Sequence, residues 1–144
     1  MTDAIIQKVM ARLNPAPFWE SLGAELVTAG GGSASVLLRS RPEFGRSGGN
    51  GDGTAHGGVV AAAIDMAASC ALITLLADGE GRTTIDLTVH YLAPARGDIT
   101  AKATVRRRGG RTAVIDIEAE TEDGLVALGR ATFAILALRG TTGQ

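Results

Sequence analysis

One long apolar segment dominates the hydrophobic pattern of this chain. Its 19 residues, 59–77, contain a single charged side chain, Asp65. The segment lacks glycine and proline and is rich in alanine and leucine, which predicts a buried helix. Ala61, Ala62 and Ser69 share the side of this helix on which the acid lies. The acid therefore lies on a face of small residues that allows close approach.

The pattern before this segment predicts one helix and one hairpin. Residues 3–13 place apolar side chains at helical spacing, and Asn14 and Pro15 end that pattern. A short second helical turn can begin at Pro17. Residues 24–27 and 33–38 read as two strands around three glycines, where a hairpin turn needs positive φ.

Four segments with strand character follow the apolar helix. Apolar and polar residues alternate in the first three, and the last is apolar on nearly both faces, which is typical of a central strand. The segments are 83–92, 99–105, 113–119 and 126–136. The chain is thus expected to be α+β, with an antiparallel sheet of about six strands curled around one long helix.

Composition narrows the class of protein. The 144 residues fit one domain, and the 45% hydrophobic content suggests that another subunit covers some apolar surface. A net charge of -1 gives no global field for nucleic acid or an acidic membrane. The single cysteine, Cys70, suits a reducing cytoplasm, and the N-terminal residues do not resemble an export signal. We therefore expect a cytoplasmic protein.

Asp65 is the first candidate for chemistry. An aspartate in an apolar helix is costly unless it is hydrogen-bonded or faces a cavity. It is either a structural acid with a satisfied carboxylate or a catalytic one. A membrane-embedded acid is the third interpretation, but over half of the segment is alanine or polar, so we expect no membrane span.

A long polar loop leads into the helix. Residues 41–58 are too glycine-rich for regular structure, and loops of this length are often functional. They end in His56, Gly57 and Gly58, so the free N–H groups of the helix start emerge where no side chain blocks a ligand. Such an end attracts partial negative charge.

The stretch NGDGTAHGGVVAAAIDMAASCAL, followed by TTIDLTVHYLAPARGDITAKATV, resembles the hotdog-fold acyl-CoA thioesterases of the phenylacetate-degradation (PaaI) type. The resemblance covers about residues 24–137, which implies a hotdog thioesterase domain there. It leaves residues 1–23 as an N-terminal helical segment and 138–144 as a disordered tail. It implies hydrolysis of a small aromatic or medium-chain acyl-CoA to the free acid and CoA.

The resemblance also implies roles for single residues. Asp65 matches the family's catalytic acid, as general base for water or as nucleophile. Asn50 matches a residue that places water or substrate, and Thr84, or Thr83, matches a hydroxyl that orients water. Gly58, or its neighbour Gly57, matches the glycine whose N–H polarises the thioester carbonyl. His56 fixes that turn, and Phe18 and Trp19 cap either the core or an acyl pocket.

Gly58 and Asp65 are separated by roughly 10 Å of helix rise, so one helix cannot easily supply both groups to one substrate. In the family the two halves of a site come from different subunits. We therefore expect a homodimer in which Asn50 and Gly58 of one chain meet Asp65 and Thr84 of the other. The family usually forms tetramers, so a dimer of dimers is expected as well.

One basic cluster stands out, at the turn between two predicted strands. It consists of Arg106, Arg107, Arg108, Gly109 and Arg111. Guanidinium groups can donate two parallel hydrogen bonds to one phosphate. The cluster is either ordinary surface charge or, as the resemblance implies, a site for the phosphates of CoA. No aromatic residues are interleaved with it, which argues against nucleic acid.

No metal or separate cofactor is expected, because CoA is part of the substrate. His56 and His90 are 34 residues apart without a third ligand clustered beside them, and His90 falls on the polar face of its strand. Two alternatives to a thioesterase remain. A hotdog hydratase or dehydratase needs a histidine paired with the acid, and none is near in the helix. A non-catalytic acyl-binding or structural protein is the other.

Overall fold

The computed structural model describes residues 3–47 and 51–139. Three α-helices and six strands occur in these ranges. They are α1 Asp3–Leu13, α2 Pro17–Ser21, β1 Glu25–Gly30, β2 Ser33–Leu38, α3 Gly57–Ile73, β3 Glu80–Tyr91, β4 Ile99–Arg108, β5 Thr112–Thr121 and β6 Gly124–Ala137. A short 3₁₀ helix, Pro42–Phe44, interrupts the long loop and buries Phe44. That loop was predicted to lack regular structure as far as Gly58, which is wrong at this turn and at Gly57 and Gly58, the first residues of α3.

All six strands form one antiparallel sheet in the order β1-β2-β4-β5-β6-β3. The sheet packs on α3, so the predicted α+β architecture is confirmed. β6 pairs with a strand on each side, as its apolar character on both faces predicted. β1 and β3 are the edges, which leaves one side of the 12-residue β3 open to another chain.

Helix α3 carries much of the core. One side of it is fully buried against the sheet, including Ile64, Ala68 and Leu72. The apolar sequence continues to Ala77, yet the helix ends at Ile73. Thr74 explains the difference, because its hydroxyl donates to Ala71 O and accepts from the Gly32 N–H, both at 2.7 Å. These bonds tie the helix end to the β1–β2 turn.

A bulge in β3 changes which residues face the helix. Pairing with β6 shifts between Thr84 and Asp86, so Ile85 is an extra residue in the edge strand. Before the bulge Arg82 and Thr84 contact α3 side chains, and after it Leu87 packs on the core. Ile85 was predicted to share the apolar face with Leu87, and this is wrong, since Ile85 is 59% exposed.

The two N-terminal helices pack beside the C-terminal half of α3. Arg12 ties α1 to the segment after α3 by donating to the carbonyls of Leu76, Ala77 and Glu80 at 2.8 to 2.9 Å. A cation also suits the end of a helix, where carbonyl groups lack partners. In α2, Trp19 is buried in the core, and Phe18 is exposed.

None of the helices in the described ranges is both long and apolar enough to cross a membrane. Most of the predicted disordered tail, residues 140–144, lies outside the described residues.

Candidate active site

Asp65 and Thr84 meet at the middle of α3. The Thr84 hydroxyl donates to the Asp65 carboxylate at 2.8 Å. Thr84 makes this contact, and its neighbour Thr83, which sequence left as an alternative, does not. Asp65 is only partly buried, because the face of α3 that carries it is not covered by the sheet. Among the described residues no donor binds its other carboxylate oxygen.

A groove of about 320 Å³ runs from Asp65 toward the N-terminal helices. Its lining is mostly apolar and includes three aromatic side chains. The residues that line it are Leu13, Ala16, Phe18, Trp19, Asp65, Met66, Ser69, Arg82, Thr83, Thr84 and Phe133. Sequence left open whether Phe18 and Trp19 belong to the core or to a pocket; Trp19 does both, and Phe18 belongs to the groove alone. A groove of this size and lining suits a small, largely apolar ligand.

The start of α3 forms a second polar feature. His56 is the N-cap residue, and its Nδ1 accepts the Gly58 N–H at 2.8 Å. In this conformation Gly58 donates inside its own chain. Among the described residues no acceptor takes the N–H of Gly57, the first residue of the helix. Gly57 is therefore the better placed of the two glycines to donate to an incoming carbonyl.

Close packing explains why Gly57 lacks a side chain. The Tyr91 hydroxyl donates to Gly57 O at 2.7 Å. A Cβ on Gly57 would lie 3.2 Å from the ring of Tyr91. Residues 91–95, at and after the end of β3, also line a second groove of about 390 Å³ at this end of the helix, together with Gly57, Val60 and Arg46.

The two grooves share no residue, and two turns of α3 separate Gly57 from Asp65. One chain thus presents an acid in one place and a helix N-terminus in another. Asn50, expected beside the helix N-terminus, lies outside the described residues.

The loop before the helix is held by Asp52. Its carboxylate accepts the Thr54 N–H at 2.9 Å and contacts Arg46 and Arg96 at 3.0 and 3.2 Å. These hydrogen bonds, chiefly those from Thr54, keep the pKa of Asp52 well below its usual range. Asp52 thereby fixes the segment that leads into His56.

The basic cluster does not converge on one point. Arg106 contacts Asp116 at 3.7 Å on the outer face of the sheet, and Arg108 binds Glu80 and Gly109 O. The bond from Arg108 lowers the pKa of Glu80. Arg107 and Arg111 are exposed and make no ion pair with the described residues. Only these two remain candidates for an external phosphate.

His90 and Cys70 lie away from both grooves. His90 is exposed on the outer face of the sheet, and the described residues hold no group of three potential metal ligands. Cys70 is fully buried, and burial raises the pKa of its thiol to about 12. The thiol is therefore protonated and unreactive at neutral pH.

Sequence reasoning missed Arg82, which lines the groove. Its Nε donates to Ser69 Oγ at 2.7 Å. Ser69 follows Asp65 by four residues on the helix, and Arg82 precedes Thr84 by two on the strand. Once Asp65 and Thr84 are paired, these spacings place Arg82 and Ser69 together. That signal was present in the sequence.

Comparisons with known proteins give a consistent result. Residues 52–128 match the family model described as Thioesterase superfamily. The medium/long-chain acyl-CoA thioesterase YigI of Salmonella typhimurium is 34% identical over 134 residues, which cover 83% of this chain and 85% of that protein. A relative from Halobacterium salinarum is 40% identical over 96 residues, 60% of this chain and 64% of that protein.

A solved structure shows the same fold. The Escherichia coli PaaI protein from the phenylacetic acid degradation operon superposes with a TM-score of 0.78 at 25% identity. The match covers 92% of this chain and 93% of that one. The hotdog arrangement expected from the sequence is thereby confirmed.

Proposed function

Because this chain belongs to the Thioesterase superfamily and is a hydrolase, we propose that it hydrolyses medium-chain or small aromatic acyl-CoA thioesters, with the Asp65 carboxylate as general base or nucleophile. The observation that carries the proposal is the position of Asp65. Its carboxylate is oriented by Thr84 and opens into an apolar groove that fits an acyl chain.

The reaction begins with water or the carboxylate attacking the thioester carbonyl. As general base, Asp65 takes a proton from water while the water oxygen bonds to the carbonyl carbon. As nucleophile, Asp65 forms an acyl anhydride that water then cleaves. In both cases the C–S bond breaks, CoA leaves as the thiolate and takes up a proton, and the acid is released. The Gly57 N–H donates to the oxygen on which negative charge develops.

The two halves of this site come from different chains of a homodimer. Three features support this part of the proposal. The helix N-terminus and Asp65 lie in separate grooves, the uncovered face of α3 carries small residues, and the open edge strand β3 exposes Ile85 beside Thr84. A second copy that covers α3 and β3 brings its own Gly57 toward Asp65. Two such dimers form a tetramer in a cytoplasmic enzyme.

A hydratase is not favoured by the geometry. The chain has two histidines, and a hydratase of this fold needs one beside the acid. His90 lies on the opposite face of the sheet from Asp65. His56 lies beside Gly57, which the proposed dimer brings toward Asp65, but its Nδ1 is engaged as the N-cap acceptor of the Gly58 N–H.

The test is an assay of wild-type protein with phenylacetyl-, benzoyl-, hexanoyl- and dodecanoyl-CoA. We expect free thiol release with a kcat/KM of about 10⁴ M⁻¹ s⁻¹ or more for at least one substrate. The buried, protonated Cys70 adds no background to a thiol-detecting reagent. Absence of hydrolysis across the panel would contradict the proposal and favour an acyl-CoA-binding role.

Arg107 and Arg111 are proposed to bind the phosphates of CoA, since their guanidinium groups are not engaged by carboxylates of the described residues. The double alanine variant is expected to raise KM for a CoA thioester roughly tenfold and to leave KM for the matching pantetheine thioester unchanged. Arg130→Ala is the control, because Arg130 is paired with Asp116 on the outer face. Equal changes for both thioesters would rule out the phosphate contact.

A further inference from the structure

Arg82 places a positive charge inside the groove that we assign to the acyl group. Its side chain is partly buried between β3 and α3, and its Nε is held by the Ser69 hydroxyl. The guanidinium carries five N–H donors, and this bond uses one of them. The two Nη atoms keep the remaining donors.

The other arginines that are anchored in the structure differ from Arg82 in their partners. Six of them contact a carboxylate, namely Arg39, Arg46, Arg96, Arg106, Arg108 and Arg130. Arg12 and Arg41 donate to main-chain carbonyls. Arg82 has neither kind of partner within bonding distance among the described residues, and its one contact is a neutral hydroxyl.

The surroundings of Arg82 leave its charge incompletely compensated. Burial lowers the pKa of Arg82, and the cation of Arg12 acts in the same direction. The Asp65 carboxylate raises the pKa of Arg82, but Asp65 lies one helix turn from Ser69, which holds Arg82, and it accepts its hydrogen bond from Thr84. A partly desolvated guanidinium with free donors is most stable when it binds an anion.

We infer that Arg82 selects acyl groups that end in a carboxylate, so that the preferred substrates are CoA thioesters of dicarboxylic acids. The inference rests on the proposed function, because it assumes that the thioester carbonyl lies at Asp65. The two Nη atoms of Arg82 then donate a bidentate pair of hydrogen bonds to the distal carboxylate. Phe18, Trp19 and Met66 contact the methylene groups between the two ends.

Chain length follows from the positions of the two charges. Ser69, which holds Arg82, lies roughly 6 Å farther along the helix than Asp65. A carboxylate close to the thioester would lie beside Asp65 and be repelled by it. A carboxylate at the end of a longer chain passes Asp65 and reaches Arg82. Adipoyl-CoA should therefore be preferred over malonyl-CoA.

The experiment compares adipoyl-CoA with hexanoyl-CoA, which have the same number of acyl carbons, in wild type and Arg82→Met. Methionine keeps an unbranched apolar side chain and removes the charge. We expect wild type to favour adipoyl-CoA in kcat/KM. Arg82→Met should lower kcat/KM for adipoyl-CoA roughly ten- to a hundredfold, mainly through KM, and change the value for hexanoyl-CoA little. Arg82→Lys should restore part of the preference.

Two controls separate this role from a structural one. Arg39→Met removes an exposed arginine that pairs with Glu25 and Asp98 away from the groove, and it should leave both substrates unaffected. Dissociation constants of the same two thioesters, measured by calorimetry in Asp65→Asn with and without Arg82→Met, report binding without turnover. A preference for adipoyl-CoA that disappears with Arg82 supports the inference even if hydrolysis fails.

Three results would overturn the inference that Arg82 selects acyl groups with a distal carboxylate. If wild type hydrolyses hexanoyl-CoA and adipoyl-CoA with equal kcat/KM, the proposed function stands and the dicarboxylate preference is ruled out. A uniform rise of KM for both substrates in Arg82→Met would place Arg82 at the CoA moiety. Equal losses of kcat for both would give it a structural role.

Discussion

An Asp65→Asn variant is expected to lose at least about a hundredfold in kcat while it keeps its fold and oligomeric state, since this is the usual lower scale for removing a catalytic acid or base. The amide has nearly the shape of the carboxylate, and its oxygen still accepts the Thr84 hydroxyl. It cannot take a proton from water or attack a carbonyl. The measurement is thiol release at saturating substrate, with circular dichroism and size-exclusion chromatography as checks on the fold.

Asp86→Asn is the matched control for this variant. Asp86 lies two residues after Thr84 but on the other face of the sheet, where Thr88 donates to it at 3.3 Å. It should retain wild-type kcat, because it lies outside the groove that holds Asp65. If Asp65→Asn were as active as wild type, Asp65 would be a structural acid that ties α3 to β3. Label found in Asp65 after multiple turnovers in ¹⁸O water would identify Asp65 as the nucleophile, with water cleaving the anhydride at the Asp65 carbonyl, since a general base incorporates no label.

The architecture followed from the sequence because its strongest signals are local. The apolar segment predicted α3, alternation predicted β3, β4 and β5, and a run that is apolar on nearly both faces predicted the central strand β6. What sequence missed depends on contacts between distant segments. The helix ends at Ile73 because Thr74 bonds to Gly32, although the apolar sequence runs on to Ala77. The β3 bulge is visible only in the pairing with β6, and it turned Ile85 outward.

For the site as well, the sequence showed the local signals and missed the contacts between distant segments. Asp65 was found because an acid in an apolar helix is unusual by composition alone. The contact between Asp65 and Thr84 required the fold, since the bulge decides which β3 residues face the helix. Four arginines close in sequence were either surface charge or one phosphate site, and the structure shows that Arg106 and Arg108 are engaged by Asp116 and Glu80. Charge clusters in sequence do not show which members already have partners.

Mixing two inactive variants should restore activity if each site is shared between two chains. The first variant is Asp65→Asn. The second is Gly57→Pro, which removes the one N–H that we assign to the carbonyl. Proline is tolerated at the first position of a helix, and His56, with φ -58° and ψ 139°, already has the backbone geometry that a following proline requires. Gly57→Ala keeps the N–H and controls for the added Cβ, which meets Tyr91 in both variants.

Each variant alone is expected to be nearly inactive, and Gly57→Ala more active than Gly57→Pro. In a mixed dimer, one site joins the intact Gly57 of the first chain to the intact Asp65 of the second, and the other site carries both changes. Random reassociation of equal amounts should therefore restore roughly a quarter of wild-type activity, as two-fold symmetry requires. If Gly57 and Asp65 of the same chain served one substrate, every site in the mixture would carry a defect. Activity would then stay at the level of the separate variants. One substrate would have to contact two groups that lie two turns apart on the same α3.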